Sequence, residues 1–327
     1  WNKIYYFYIK PVHLFFLTFA LTITYQPFFL YQVGFQFSFL ISFFLILFAD
    51  WINQSPQKMI RAVKVSLLAF CASVPIALYH FSQINVLSIL YNLYFVPLVT
   101  ILIFPLSLLV FCLPFFDFLY HFLILLLEQS SLWLGQSSFG TFILIKPSIL
   151  ICLMYIVFTI VLFLFIMRKK YGYVLLYVGV LMVHYLYPNF LAKEEMIILD
   201  VGQGDSLLLR SKNQTILIDT GGKLNFNIEK WKQKKTISHI TNYVTIPLLK
   251  SLGISKIDYL FLTHGDYDHM GEAVFLLQNF EVGRIMINEG SQNELEQQVL
   301  KEAKERNIPI EVCIKDKTYQ VGNITIQ

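Results

Sequence analysis

The sequence predicts a polytopic α-helical membrane domain followed by a layered αβ soluble domain. Three observations predict it. Apolar runs long enough to span a bilayer fill residues 1–191. After Pro188 the pattern turns to short strands and helices separated by glycine-rich turns. Charge divides the same way: residues 1–191 hold nine Lys/Arg and three acids, and residues 192–327 hold 16 Lys/Arg and 18 acids. The chain as a whole has 327 residues, 56% hydrophobic and only 14% charged, a composition outside the range of ordinary soluble domains. Its net charge of +4 belongs to the apolar half. It therefore reads as membrane topology, not as a basic nucleic-acid footprint.

A spanning helix takes roughly 20 mostly apolar residues. Seven candidates appear, near 4–25, 28–49, 65–80, 86–113, 115–130, 142–167 and 172–191, of which 115–130 is short enough to lie in the interface or re-enter instead. Pro97, Pro105 and Pro114 mark places where the long fourth segment would kink or break. Basic residues orient the set. Lys3 and Lys10, then Lys58, Arg61 and Lys64, then Arg168, Lys169 and Lys170 fall on one side if there are seven spans. That side is cytoplasmic, with Lys146 as the exception, and the segment after residue 191 then lies outside. Gly34, Gln36, Ser38 and Asn92 interrupt the apolar runs. Such residues either pack helices or line an aqueous path, and packing is the simpler reading of any single one. His13, His80, His121 and His184 stand near span ends and read as interfacial side chains.

In the second half, Met196–Asp200, Ser206–Arg210 and Thr215–Asp219 read as strands, the first two joined through the turn-rich Val201–Asp205. Residues 223–239 are polar, basic and loop-like. Asn242–Leu252 suits a helix stopped by Gly253. Ile257–Leu262 is an apolar strand, followed by a helix at Gly271–Asn279, a strand at Gly283–Ile287, a helix at Gln292–Arg306 and a strand at Pro309–Ile314. Strands first, then strand and helix in alternation, make a layered αβ domain. The four cysteines have no paired spacing and read as buried apolar side chains. A start on Trp1 and a finish on Gln327, inside an alternating pattern, predict a fragment of a longer protein.

Directly after the strand at 257–262 comes Thr-His-Gly-Asp-Tyr-Asp-His-Met-Gly, with His264, Asp266, Asp268 and His269 inside six positions. Alternation of His264, Asp266 and Asp268 lets an extended turn aim all three to one side, and Gly265 lets the backbone bend. Imidazole and carboxylate together hold one or two divalent ions. Paired ions clamp the attacking and leaving oxygens of phosphoryl or acyl transfer. A solvated Asp/His loop is the bland alternative, but four such residues packed behind a buried strand favour metal.

The cluster resembles the His-x-His-x-Asp-His signature of the metallo-β-lactamase fold, with Asp266 in place of the second histidine. That variant is similar to the Thr-His-x-Asp-x-Asp-His-x-Gly of the ComEC family, the DNA-uptake channel of natural transformation. Leu199–Ser206 and Leu217–Gly222 are similar to the start of that family's soluble domain. Val33–Phe39 and Asn92–Leu98 are similar to its membrane "competence" domain. The resemblance implies a transmembrane domain over 1–191 and an αββα, metallo-β-lactamase-like domain over 192–327, incomplete at its C-terminus. It also implies a plasma-membrane channel passing single-stranded DNA inward, with an extracytoplasmic metal-dependent nuclease that degrades the other strand. Competence partners such as a DNA receptor and a cytoplasmic translocation ATPase follow from it too.

Carried onto this chain, the resemblance makes His264 and Asp266 ligands of one metal position, and Asp268 and His269 ligands of the other or of its water. Asp268 and His269 are thereby the catalytic pair. Asp219 supports them, and Asp200 and Asp205 shape the site, although turn chemistry explains Asp205 equally well. An aspartate in place of histidine makes the site harder, which favours Mn²⁺ or Mg²⁺ over Zn²⁺. Lys230, Lys232, Lys234 and Lys235, interleaved with Trp231, offer phosphate and base contacts to DNA. A solvated surface loop accounts for the same lysines and is the simpler reading. Two other functions stay open: a DNA channel whose soluble domain binds without cutting, and a membrane-tethered metallohydrolase unrelated to DNA.

Overall fold

The computed structural model describes residues 10–135, 139–190, 194–211, 214–222, 239–290, 293–314, 318–321 and 324–326. The chain divides into two compact units, Trp1–Phe142 with Pro147–Gly179, and Ile143–Lys146 with Val180–Gln327.

The first unit is helical. Helices α1 (Pro11–Tyr25), α2 (Val33–Leu47), α3 (Ala49–Asn53) and α4 (Lys58–Phe81) come first, then strand β1 (Gln83–Asn85) and α5 (Ser88–Pro97). A π-helical turn at Leu98–Ile103 leads into α6 (Phe104–Cys112). Helix α7 (Asp117–Gly135), strand β2 (Thr141–Ile143), α8 (Ile149–Met167) and α9 (Gly172–Phe190) follow, and α9 belongs to the first unit only as far as Gly179. Among the described residues, four stretches are long and apolar enough to cross a membrane: Lys58–Phe81, Ser88–Cys112, Pro114–Gly135 and Ile149–Met167. The expected spans near 4–25, 28–49 and 172–191 contain shorter apolar helices, Pro11–Tyr25, Val33–Leu47 and Gly172–Pro188. Outward-facing Phe111, Phe115 and Trp133 are 89%, 79% and 73% exposed. Such surface suits lipid and is costly in water.

Three departures from expectation have local causes. The 86–113 segment runs on through Pro97 and Pro105 and stops at Cys112, ahead of Pro114. Pro105 has no N–H and its ring crowds the preceding turn, and the wide turn ahead of it, with Phe104 N–H donating to the Val99 carbonyl, provides room. Lys58, Arg61 and Lys64 are not in a loop but on the first turns of α4. Lys64 lays its stem along Trp51, its Nζ 4.6 Å from the ring centroid and 2.6 Å from the Trp51 carbonyl. The predicted span at 142–167 starts only at Ile149, because Pro147 restricts Lys146 to extended backbone. Inside α4, Pro75 withholds the N–H that would bond the Cys71 carbonyl, and the Tyr177 hydroxyl reaches that carbonyl at 3.5 Å.

The second unit is built on one six-stranded sheet. Its strands are β3 (Glu195–Ile198), β4 (Leu207–Ser211), β5 (Gln214–Ile218), β7 (Tyr259–Leu262), β9 (Ile285–Asn288) and β10 (Ile310–Cys313), after which the sheet order is β10-β9-β7-β5-β4-β3. Strands β3, β4 and β5 pair antiparallel, and β5, β7, β9 and β10 parallel. Short strands β6 (Lys256–Ile257) and β8 (Glu281–Val282) pair with each other, as do β11 (Tyr319–Val321) and β12 (Ile324–Ile326). Helices α10 (Ile240–Tyr243), α11 (Thr245–Ser251), α12 (Tyr267–Met270), α13 (Ala273–Asn279) and α14 (Glu294–Glu305) complete the unit.

Period-two alternation splits the strands between two faces. Leu208, Leu217, Leu260, Leu262, Ile285 and Ile287 point into the main core with Leu249, Leu276 and Val299 from the helices. Ile216, Phe261 and Met286 point to the other face, where Tyr319 packs. The helix expected at 242–252 is two helices joined at Val244. Pro247 cannot donate to the Tyr243 carbonyl, so the chain restarts and Pro247 sits in the first turn of α11, where proline is tolerated. The strand expected at 257–262 is interrupted at Asp258, whose carboxylate accepts from Thr215 N–H at 2.8 Å.

Candidate metal centre

Strands β5 and β7 run parallel, with Ile218 opposite Phe261. Their carboxyl ends therefore open on the same edge of the sheet, the place where αβ sheets hold ligands. Asp219 leaves β5 there, and Thr263 and His264 leave β7. Asp219 N–H donates to the Phe261 carbonyl at 2.8 Å, extending the ladder by one bond. Asp219 then takes a left-handed backbone, φ 55°, which aspartate tolerates better than most residues. Its side chain is turned back across the end of β7 and is 3% exposed as a residue.

That buried carboxylate organises the loop. Its Oδ1 accepts from Thr263 N–H at 2.8 Å. Its Oδ2 takes the Thr263 hydroxyl at 2.7 Å and His269 Nδ1 at 2.9 Å. The Asp219 carbonyl accepts from the Ser206 hydroxyl at 2.9 Å, and the His269 carbonyl accepts from Thr220 N–H at 2.7 Å.

Donor counting assigns both imidazoles. Thr263 has one hydroxyl hydrogen, and Asp219 takes it. The 3.0 Å bond between Thr263 Oγ1 and His264 Nδ1 must then be donated by His264. A carboxylate oxygen only accepts, so His269 Nδ1 also carries hydrogen. Both rings consequently present Nε2 outward, and each Nε2 faces a carboxylate. His264 Nε2 is 3.4 Å from Asp266 Oδ2, and His269 Nε2 is 3.8 Å from Asp268 Oδ2. The ring centroids are 3.9 Å apart.

A nitrogen lone pair opposite a carboxylate repels unless a cation stands between them. Burial works to lower the proton affinity of His269, but the hydrogen bond and charge of Asp219, with the charges of Asp268 and Asp205, outweigh it and hold its pKa above the ordinary imidazole value. The same field attracts a metal cation. The donor set fits a divalent ion in chemistry: two imidazoles with Nδ1–H tied back to a carboxylate or hydroxyl, whose Nε2 atoms can take a metal in place of a proton, and two carboxylates. Among the described residues, no three of His, Cys, Asp or Glu are drawn close enough to enclose an ion. The site is two imidazole–carboxylate pairs rather than a closed cage.

The other expected site residues fall as follows. Asp200 accepts from Gly202 N–H at 3.3 Å and shapes the 201–205 turn. Asp205 acts on His269 through its charge. Gln36 lines a cavity of about 610 Å³ between α1, α2, α4 and α8, walled by Phe15, Phe19, Phe35 and Phe39. Gln36 bonds the Leu30 carbonyl and His80 Nε2, each at 2.7 Å. Gly34, Ser38 and Asn92 are not in that lining, and a Cβ on Gly34 would meet open space. Lys230, Trp231, Lys232, Lys234 and Lys235 lie outside the described residues. Thr263, Ser206 and Asn293 were not among the expected site residues. Thr263 stands beside His264 in the motif, Ser206 closes the 199–206 stretch, and the spacing of Asn293 to Glu296 marks a helix cap but not a site residue.

Residues 1–169 match the family described as competence protein. The chain belongs to the competence protein family. That is the family its motifs resembled. Residues 199–318 match the metallo-beta-lactamase superfamily, which implies a divalent metal in this family member. ComE operon protein 3 of Bacillus subtilis (strain 168) is 31% identical over 324 residues, covering 94% of this chain and 42% of that relative. The chain thus spans less than half the length of the curated relative it matches.

Proposed function

We propose that this competence-family chain serves DNA internalisation at the plasma membrane. The membrane part, residues 1–191, passes one DNA strand into the cytoplasm. The metallo-β-lactamase-like part, residues 192–327, is a divalent-metal deoxyribonuclease that cuts the other strand outside the membrane. The observation that carries the reading is the pair of Nε2 atoms held against Asp266 and Asp268 by one buried carboxylate, Asp219. The outside placement rests on the distribution of Lys and Arg along the first half.

A bound Mn²⁺ or Mg²⁺ would supply charge stabilisation to a phosphodiester and lower the pKa of water. The oxygen-rich donor set favours these ions over Zn²⁺. His264 and His269 supply nitrogen lone pairs, and Asp266 and Asp268 supply negative charge. Asp268 and His269, on the helical turn α12, are the pair to which we assign the catalytic role. Asp219 fixes the tautomer of both rings, directly for His269 and through Thr263 for His264. Lys230, Lys232, Lys234 and Lys235 hold phosphates, and Trp231 stacks a base. A DNA receptor and a cytoplasmic translocation ATPase act with the protein in the cell.

The test uses the full-length protein in detergent with Mn²⁺ and single-stranded DNA. Cutting is expected, with loss of cutting in Asp268→Ala plus His269→Ala. An intact protein that does not cut, or a double variant that cuts equally well, defeats the nuclease reading. A second reading, DNA carriage with a soluble unit that binds without cutting, is favoured by the lack of three converging ligands among the described residues. Under it, the purified protein retains no metal and yet shifts DNA in a binding assay.

A further inference from the structure

Asn293 is the N-cap of α14 and forms a complete capping box. Its Oδ1 accepts from Glu296 N–H at 2.9 Å, and its own N–H donates to Glu296 Oε2 at 2.7 Å. The box needs only an acceptor on the side chain, which serine, threonine or aspartate also provides. The amide Nδ2 is surplus to capping, and it donates to the Gly265 carbonyl at 2.6 Å, across 28 residues of sequence.

The Gly265 carbonyl belongs to the peptide that carries the Asp266 N–H, between His264 and Asp266. Asp266 in turn caps α12, its carbonyl accepting from His269 and Met270 N–H at 3.0 and 2.8 Å. Fixing that one peptide therefore sets the aim of Asp266 and the start of the turn holding Asp268 and His269. The other end of the bond is rigid, since α14 is anchored in the core through Leu295, Val299 and Ala303. Contact is close enough that a Cβ on Gly265 would run into the Asn293 amide.

We propose that Asn293 is a positioning residue for the metal loop, holding His264 and Asp266 in register with Asp268 and His269 from the end of α14. This rests on the reading of that loop as a metal site. Aspartate and serine keep the cap but cannot reproduce the bond: aspartate has no donor, and serine is too short to reach Gly265. Cap loss and clamp loss can thus be separated.

Full-length wild type, Asn293→Asp and Asn293→Ser are compared in detergent by hydrogen exchange without metal and by Mn²⁺ titration followed by electron paramagnetic resonance. Both variants are expected to exchange faster at 264–270, to keep α14 protected, and to bind Mn²⁺ roughly 10–100-fold more weakly, the usual effect of losing a group that orients ligands. Wild-type exchange at 264–270, wild-type Mn²⁺ affinity in the variants, or loss of α14 protection in both variants overturns the proposal and leaves the metal reading standing. A wild-type protein that takes up no Mn²⁺ overturns the metal reading itself, and the positioning role with it.

Discussion

Asp219 and His269, fifty residues apart in sequence, meet in a 2.9 Å hydrogen bond between Oδ2 and Nδ1. The parallel pairing of β5 with β7 brings them together, and the left-handed backbone at Asp219 turns the carboxylate toward the loop. Asp219→Asn tests what the bond does. An amide can keep one acceptor but places an NH₂ where Thr263 or His269 now donates. Mn²⁺ affinity is expected to fall roughly 10–100-fold. Calorimetric titration measures that loss. Thermal unfolding should register a cost of about 1–3 kcal/mol for a buried donor left without its partner.

Thr263→Val separates orientation from stability. Valine matches threonine in shape and leaves the backbone bond from residue 263 to Asp219 Oδ1 in place. It removes the hydroxyl that passes the Asp219 charge on to His264 Nδ1. His264 then loses its tautomer constraint, and Mn²⁺ binding weakens while the melting temperature changes little. Thr263→Ser retains the hydroxyl and should bind Mn²⁺ nearly as wild type. Equal affinity in the valine variant removes Thr263 from the site.

The fold class, the strand segments that carry the site and the His264–His269 cluster were all legible, because each rests on local pattern; the order of the strands in the sheet was not. Apolar run length gave away the membrane half, and alternation gave the sheet. What escaped the sequence depends on contacts between distant segments. Pro97 and Pro105 mark places for a kink or a break, but nothing local says that a widened turn between them carries the helix on. Pro247 lies inside an apolar helical pattern, and only the lost bond to Tyr243 reveals the break at Val244. The partnership of Asn293 with Gly265 has no signature in either segment. His80, read as an interfacial side chain, bonds Gln36 from another helix.

Gly204→Ala should disable the site without touching a ligand. Gly204 sits at φ 95°, where a side chain is strained, and its missing Cβ faces the Asp268 backbone at its carbonyl. Backbone cannot swing aside as a flexible side chain would. Alanine therefore has to push the 201–205 turn or the Asp268 peptide out of place. Left-handed strain alone costs about 1–2 kcal/mol, and the overlap adds to it. The expected result is a lower melting temperature together with loss of Mn²⁺ binding. Gly202→Ala is the control: it shares a positive φ of 78° but its Cβ would meet only Ile240 at ordinary contact distance. Its melting temperature should fall, with Mn²⁺ affinity kept.

Gln36→Leu probes the membrane half. Gln36 joins the turn after α1 to α4, donating to the Leu30 carbonyl and pairing with His80. Leucine leaves the Leu30 carbonyl without this donor on the wall of an aromatic cavity. Interhelical polar contacts in membrane proteins are worth about 0.5–2 kcal/mol, so a modest drop in the melting temperature of the detergent-solubilised protein is expected. If the DNA strand passes beside Gln36, transformation should fall well beyond what reduced protein abundance explains. Measuring transformation per copy of membrane-inserted protein separates the two. Normal transformation per copy assigns Gln36 to helix packing, and the path must then be sought away from this cavity.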